Sequence, residues 1–366
     1  MSTPSKEATP ETGSTADKRT RDERWQISRR GWTVLLSFLI VITLGLVGAF
    51  VPVPFVALGP GPTYDTLGAV NKTQIVQVDG AQTYETTGQL RMTTVSLKRE
   101  VTLFSAFGLW VSGRYALAPR EEYIKPGQTE EDVQQQNVKM FQDSQSDAET
   151  AAMRHLKKPM KVVVAEVTSG APADKVIEPG DRLLNVNGRA ITQQDDVIAA
   201  IENTRPGQPI QVALQRGGQD KTVSVTLGKA PDDRVQGFMG IKGIDRPDVP
   251  FKTTIHLQDV GGPSAGLIFS LAIVDRLTPD DLAGGQPVAG TGEIDVKGNV
   301  GPIGGIGFKL VAAAEDGAKT FLVPAANCAE AKADPPPGLQ LIKVETLDGA
   351  VKALEDRKAG RPVPGC

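Results

Sequence analysis

A serine in a glycine-rich elbow, Gly261-Gly262-Pro263-Ser264-Ala265-Gly266, is followed by a lysine, Lys309, behind a second glycine-rich stretch, Gly304-Gly305-Ile306-Gly307-Phe308. A serine hydroxyl is a weak nucleophile until a base takes its proton. The usual base is scarce here, since the chain holds only His155 and His256. A lysine can serve once the fold desolvates it, because burial disfavours the ammonium and lowers its pKa towards neutrality. Serine–lysine pairs are a known variant of triad chemistry. The two motifs therefore point to a serine hydrolase with lysine as its base. The glycines let backbone approach a substrate carbonyl, and the backbone of Gly262, Pro263 and Ser264 is the expected seat of an oxyanion. Taken alone, the elbow is also an ordinary helix N-cap.

The flanking segments supply elements to hold these groups. Thr253 to Leu257 alternates as a strand does, and Ala265 to Leu277 is apolar nearly all round, the mark of a buried helix. Ala289-Gly290-Thr291-Gly292-Glu293-Ile294 and Gly298-Asn299-Val300 read as a hairpin. Pro302 to Gly305 then leads into a helix carrying Lys309, and Phe321-Leu322-Val323-Pro324 reads as a buried strand. In this order the motifs resemble the proteolytic domain of Lon-type serine proteases. The resemblance implies Ser264 as nucleophile, Lys309 as base and Thr291 as the hydroxyl that hydrogen-bonds the lysine. Two departures stand out. Gly261 occupies a position where many Lon-type sites carry an acid, with Asp259 nearby but out of register, and Phe308 replaces the usual acid before the lysine. His256 is the rival base, although structural histidines are commoner than catalytic ones.

Upstream, residues near 160–230 form a compact β-rich pattern. Val162-Val163-Val164 reads as a strand and Ser169-Gly170-Ala171-Pro172-Ala173 as a turn. Pro179-Gly180-Asp181 and Val186-Asn187-Gly188 bracket a further strand, and Gln194 to Glu202 reads as a helix. Two alternating strands, Ile210 to Gln215 and Thr222 to Leu227, flank the turn Arg216-Gly217-Gly218. These strings resemble a bacterial PDZ domain, a module that captures a peptide C-terminus by strand addition. The resemblance makes Gly237-Phe238-Met239-Gly240 the expected carboxylate loop in a permuted arrangement, with a plain linker as the alternative. The helix expected over Val133 to His155 is mostly polar and reads as a spacer or a packing helix, not a site.

From Trp32 to Val51 the chain has no charged residue. About 20 apolar residues at about 1.5 Å each cover a bilayer's hydrocarbon core. Lys18, Arg19, Arg21, Arg24, Arg29 and Arg30 precede the run, so the positive-inside rule puts the N-terminus in the cytoplasm. A cleaved signal peptide is the alternative, disfavoured by the length of the run. Leu58-Gly59-Pro60-Gly61-Pro62 reads as a stiff turn leading away from the membrane. With 40 Lys+Arg against 43 Asp+Glu and 5% aromatic residues, neither a basic face nor a stacking platform for nucleic acid is expected. No metal-ligand spacing and no phosphate-cradling Gly-x-x-x-x-Gly-Lys-Ser/Thr sequence occurs. Cys328 and Cys366 can pair in an oxidising compartment or stand apart.

The combined expectation is an α+β protein with these parts: a tail over 1–31, a membrane helix over 32–53, and a split Lon-like domain over 54–158 and 236–366. A PDZ-like unit over 159–235 is inserted in the split. One membrane segment, a PDZ-like unit and a Lon-type domain together resemble the PDZ-containing, membrane-anchored Lon-like proteases of bacteria, which implies an endopeptidase that takes protein or peptide segments and needs no cofactor. The missing phosphate-cradling sequence adds the expectation of ATP independence, and the charged flank of the membrane run that of a site outside the cytoplasm. Lon-type domains often form rings, which leaves a homo-oligomer, a hexamer included, open. The alternative function is a membrane-tethered peptide-binding scaffold whose proteolytic fold does not cleave.

Overall fold

The computed structural model describes residues 29–231, 234–257 and 260–366. Most of the expected tail and Asp259 lie outside the described residues; Arg29 and Arg30 already belong to the first helix, α1 (Arg29–Phe50). By length and composition α1 can cross a membrane, and only 6% of its most apolar window is buried against protein.

Two large sheets follow, whose strands we number in chain order. The first contains β1 (Phe55–Asp65), β2 (Gln89–Lys98) and β3 (Ala116–Pro119). The second is built from β4 (Met160–Val167), β5 (Arg182–Val186), β6 (Pro209–Arg216), β7 (Gln219–Thr226) and β8 (Ile241–Pro247). The chain then returns to the first sheet with β9 (Pro287–Gly290), β10 (Thr320–Pro324) and β11 (Gln340–Val344). The first sheet has the order β11-β10-β9-β2-β1-β3, and the second runs β7-β6-β5-β4-β8. In the first sheet β2, β9, β10 and β11 are parallel, while β1 pairs antiparallel with β2 and β3.

Successive strand residues face opposite sides of a sheet, and the first sheet uses this to bury two helices. Val288 and Leu322 belong to the core that contains α5 (Gly266–Leu277). Their neighbours Ala289, Phe321 and Val323 belong to the core that contains α6 (Ile306–Glu315). α5 has Leu267, Ile268, Phe269, Leu271 and Ile273 fully buried, as expected for a helix apolar all round. Its outer face meets the long helix α3 (Glu130–His155), where Phe141 and Phe269 pack edge to face at 5.7 Å. Thr129 caps α3 with a reciprocal bond to Asp132. Three acids fill its first turn and Arg154 and His155 its last, matching the helix dipole.

Four expectations need correction. Leu58 to Pro62 is no turn: it lies inside β1, where a register shift between Pro60 and Thr63 accommodates prolines that cannot donate to a ladder. Ala289 and Gly290 belong to the parallel strand β9, so the hairpin shrinks to Glu293–Ile294 against Val300–Gly301. β8, expected in the catalytic part, pairs with β4 and so belongs to the second sheet. α3 packs along α5 as a packing helix would, but it also touches the serine elbow, where no part in the site was expected. Cys328 and Cys366, whose pairing the sequence leaves open, are joined by a disulfide, which ties the C-terminus to the α6 side of the first sheet.

Candidate active site

Ser264 and Lys309 come from opposite faces of the first sheet and meet at its end. Lys309 lies in the first turn of α6, whose N-cap, Gly305, has φ of +68°, a left-handed conformation that suits glycine. Ser264 sits in the turn two residues before α5, where Gly262 at φ +85° reverses the chain. The Lys309 Nζ is 2.7 Å from Ser264 Oγ, 2.9 Å from Thr291 Oγ1 and 3.2 Å from the Thr93 carbonyl oxygen. Thr291 donates its own hydroxyl proton to the Ser264 carbonyl at 3.0 Å, leaving its oxygen free to accept from the amine. Thr93 and Thr291 stand one step past the paired stretch of β2 and β9, so a parallel ladder fixes both.

These contacts suit an uncharged amine. A neutral ε-amino group has two N–H donors and one lone pair. The donors match Thr291 Oγ1 and the Thr93 carbonyl, and the lone pair matches the Ser264 O–H. Lys309 is 2% exposed, and burial lowers its pKa to about 8 from 10.5. Among the described residues no carboxylate offsets this. Thr291 is fully buried. The ordinary N-cap reading of Ser264 does not hold: Ala265 is the N-cap of α5, and it makes no side-chain capping bond.

The expected oxyanion backbone is only partly suited to that task. Pro263 has no N–H to donate, and the Gly262 amide donates to the Asn137 carbonyl of α3 at 3.0 Å. The amides of Ser264 and Ala265 remain at the elbow. α3 makes a second contact there, Ser144 Oγ to the Pro263 carbonyl at 2.9 Å. It also explains the glycine at 261: a Cβ there would stand 2.9 Å from the Asn137 Cβ, so no acid fits with α3 in place. Sequence reasoning did not identify Thr93, Asn137 or Ser144 as parts of the site.

Ser264 and Lys309 open into a cavity of about 720 Å³ whose apolar wall includes Leu58, Met92, Val95, Ile303 and Phe308. Phe308, in the place of the usual acid, thus lines the cleft instead of charging it. No histidine lines this cavity. His256 is exposed beyond the strand Lys252–Ile255, and His155 Nδ1 lies 2.6 Å from Asp348 Oδ1 at a separate surface. Among the described residues no cluster of side chains suits a metal ion.

In the second sheet, β8 is the last strand, and α4 (Gln194–Ile201) lies beside it. Gly237, Phe238, Met239 and Gly240 close one end of a cavity of about 130 Å³ between α4 and β8, together with Val197, Ile198 and Ile201. Met239 itself is buried in the core of this sheet.

The two parts of the chain are similar to two known domain families. Residues 134–227 match the PDZ domain family, and residues 254–355 match the Lon protease (S16) C-terminal proteolytic domain. The Lon protease of Rickettsia typhi is 42% identical over 195 residues, covering 48% of this chain and 23% of its own length. That of Rickettsia bellii is 32% identical over 190 residues, covering 50% of this chain and 24% of its own. The chain thus spans about a quarter of the length of these curated relatives. Among solved structures, the PDZ domain of an SdrC-like protein from Listeria monocytogenes is 21% identical, with 23% of this chain and 86% of that one aligned and a TM-score of 0.21.

Proposed function

We propose that the protein is a membrane-anchored, ATP-independent serine endopeptidase that cleaves unfolded or flexible segments outside the cytoplasm through a Ser264–Lys309 dyad. One observation carries the reading: a buried amine, with no countercharge among the described residues, lies 2.7 Å from the hydroxyl of a glycine-rich elbow. Neutral Lys309 takes the Ser264 proton as Oγ attacks the scissile carbonyl carbon. The resulting ammonium then gives that proton to the departing amine, leaving an ester on Ser264. Water attacks the ester with Lys309 again as base, and Ser264 recovers its proton as the acid product leaves. Thr291 and the Thr93 carbonyl orient the amine, and the elbow amides of Ser264 and Ala265 face the oxyanion.

Residues 54–158 and 248–366 act as one split catalytic domain in this reading, with the PDZ unit inserted and its boundary moved to include β8. The loop Gly237-Phe238-Met239-Gly240 would hold a peptide carboxylate through amides other than that of Phe238, which donates to the Gly228 carbonyl, while the peptide extends β8. The absence of a phosphate-cradling sequence supports ATP independence. The arginines that open α1 and the Cys328–Cys366 disulfide support an exported catalytic portion.

The scaffold alternative draws on the Gly262 amide being tied to Asn137. Incubating the full chain in detergent with an unfolded protein separates the two. Fragments should appear with the wild type and not with Ser264→Ala. Substrate left intact by the wild type, or cut equally by both, would refute the endopeptidase.

A further inference from the structure

A second apolar element lies beside α1. The helix α2 (Leu103–Val111) carries no charge along its nine residues. Helices apolar all round are normally buried, yet only Ala106 of this one is buried. Ala106 and Leu109 face the small core around Ala57 and Val101. On the other side Leu103, Phe104, Phe107, Trp110 and Val111 recur at helical spacing and are 55–63% exposed.

The position of α2 identifies what covers that face. The chain leaving α1 is stitched to the chain entering α2: the Val53 amide donates to the Val101 carbonyl at 2.9 Å, and Pro52 bridges to Thr102. α2 therefore starts at the level where α1 ends. The Phe104 ring lies on Gly48, where an added Cβ would come within 2.9 Å of its Cζ. Gly48 is three residues before the end of the apolar run, so the ring sits about 4.5 Å inside the span. Interfacial helices bury their apolar face about 5–10 Å into the boundary between headgroups and acyl chains. Trp110 belongs to the residue type enriched at that depth.

We propose that α2 is an interfacial membrane helix, seated with its Phe104–Phe107–Trp110 face in the bilayer leaflet where α1 emerges. It gives the catalytic domain a second membrane contact. This rests on α1 spanning the bilayer, as in the proposed function. β2, which carries Thr93, leads to α2 through only Arg99–Thr102, so the bilayer contact fixes the height of the dyad above the surface.

The three tryptophans, Trp25, Trp32 and Trp110, allow a direct test. The full chain is reconstituted into phosphatidylcholine vesicles with a minority of phosphatidylglycerol, containing lipids brominated either close to the headgroup or near the chain ends. One variant, Trp25→Phe/Trp32→Phe, leaves Trp110 as the reporter of α2. A second, Trp25→Phe/Trp110→Phe, leaves Trp32 as the reporter of α1. Trp110 should be quenched several-fold more strongly by shallow than by deep bromines and be shielded from aqueous iodide. Quenching by iodide and not by lipid would overturn the proposal, showing a water-facing helix. Quenching by neither would also overturn it, showing α2 covered by protein, a second copy included. If Trp32 responds to lipid while Trp110 does not, this inference alone fails. If neither responds to lipid, the span fails as well.

Discussion

The two sheets each bury an ionisable group, and they treat it in opposite ways. In the PDZ unit Asp181 is 1% exposed and its two oxygens accept from Arg216 Nε at 2.8 Å and Nη2 at 2.7 Å. Burial pushes its carboxyl upward, but Arg216 and the Glu178 amide outweigh that and hold it below the usual range. In the catalytic domain Lys309 is equally hidden and has only a hydroxyl pair and a carbonyl around it. Burial lowers its pKa, and no charge among the described residues opposes that. A paired buried charge keeps its ordinary ionised form and serves the fold. An unpaired one is drawn towards neutrality, which is what proton transfer near neutral pH requires.

Removing either dyad member tests the reactive side of this contrast most severely. Ser264→Ala, Lys309→Ala and Lys309→Arg should each lower kcat by at least about a thousandfold. Arginine fails because it cannot be deprotonated. Thermal melts should show the fold retained in the two alanine variants, while Lys309→Arg, which buries a charge with no partner among the described residues, should melt earlier. On the paired side, Arg216→Met strands the Asp181 carboxylate in the core. Chemical denaturation should register a loss of about 3–5 kcal/mol, while turnover of a short peptide per folded molecule is unchanged.

The pH dependence of stability sharpens the comparison further. Between about pH 8 and 10.5 the unfolded chain holds a proton on Lys309 that the folded chain has lost. Wild-type stability therefore rises with pH through that window, by about 3 kcal/mol from this residue. Lys309→Met should lack that increment when denaturation midpoints are compared across the range. Thr291→Val keeps the shape but removes the hydroxyl oxygen that accepts from the amine. Activity should fall about tenfold to a hundredfold. The midpoint of its pH–rate profile should also move below the wild-type value, because a partner that favours the charged form is gone.

Legibility in the sequence followed the kind of contact involved. Ser264 and Lys309 lie in short glycine-bounded motifs and meet through their side chains, so local reading was enough to pair them; Thr291 came only from the resemblance to Lon-type sites. Thr93 acts through a main-chain carbonyl and comes from far upstream in the chain, so no residue type marks it. α3 looked polar because its buried stripe, Phe141, Ser144, Ala148, Ala151 and Ala152, consists mainly of small residues that add little hydropathy. The i, i+3, i+4 spacing of that stripe was the available signal. β8 reads as loop, with Lys, Gly, Asp, Arg and Pro in seven residues, yet the hidden Gly243 and Asp245 show how closely it packs. The Asp245 carboxylate pairs with Arg154 of α3 and accepts from the Gln194 amide at the start of α4. Such long-range pairing leaves no trace in local periodicity.

The pH dependence of kcat/KM for a flexible peptide tests the central claim most directly, since it reports the ionisation of the free enzyme's base. We predict a single rise with its midpoint near 8, the value to which burial brings Lys309. A midpoint in the ordinary imidazole range, about 6.5, that disappears in His256→Ala would contradict the account and move the base to the exposed histidine.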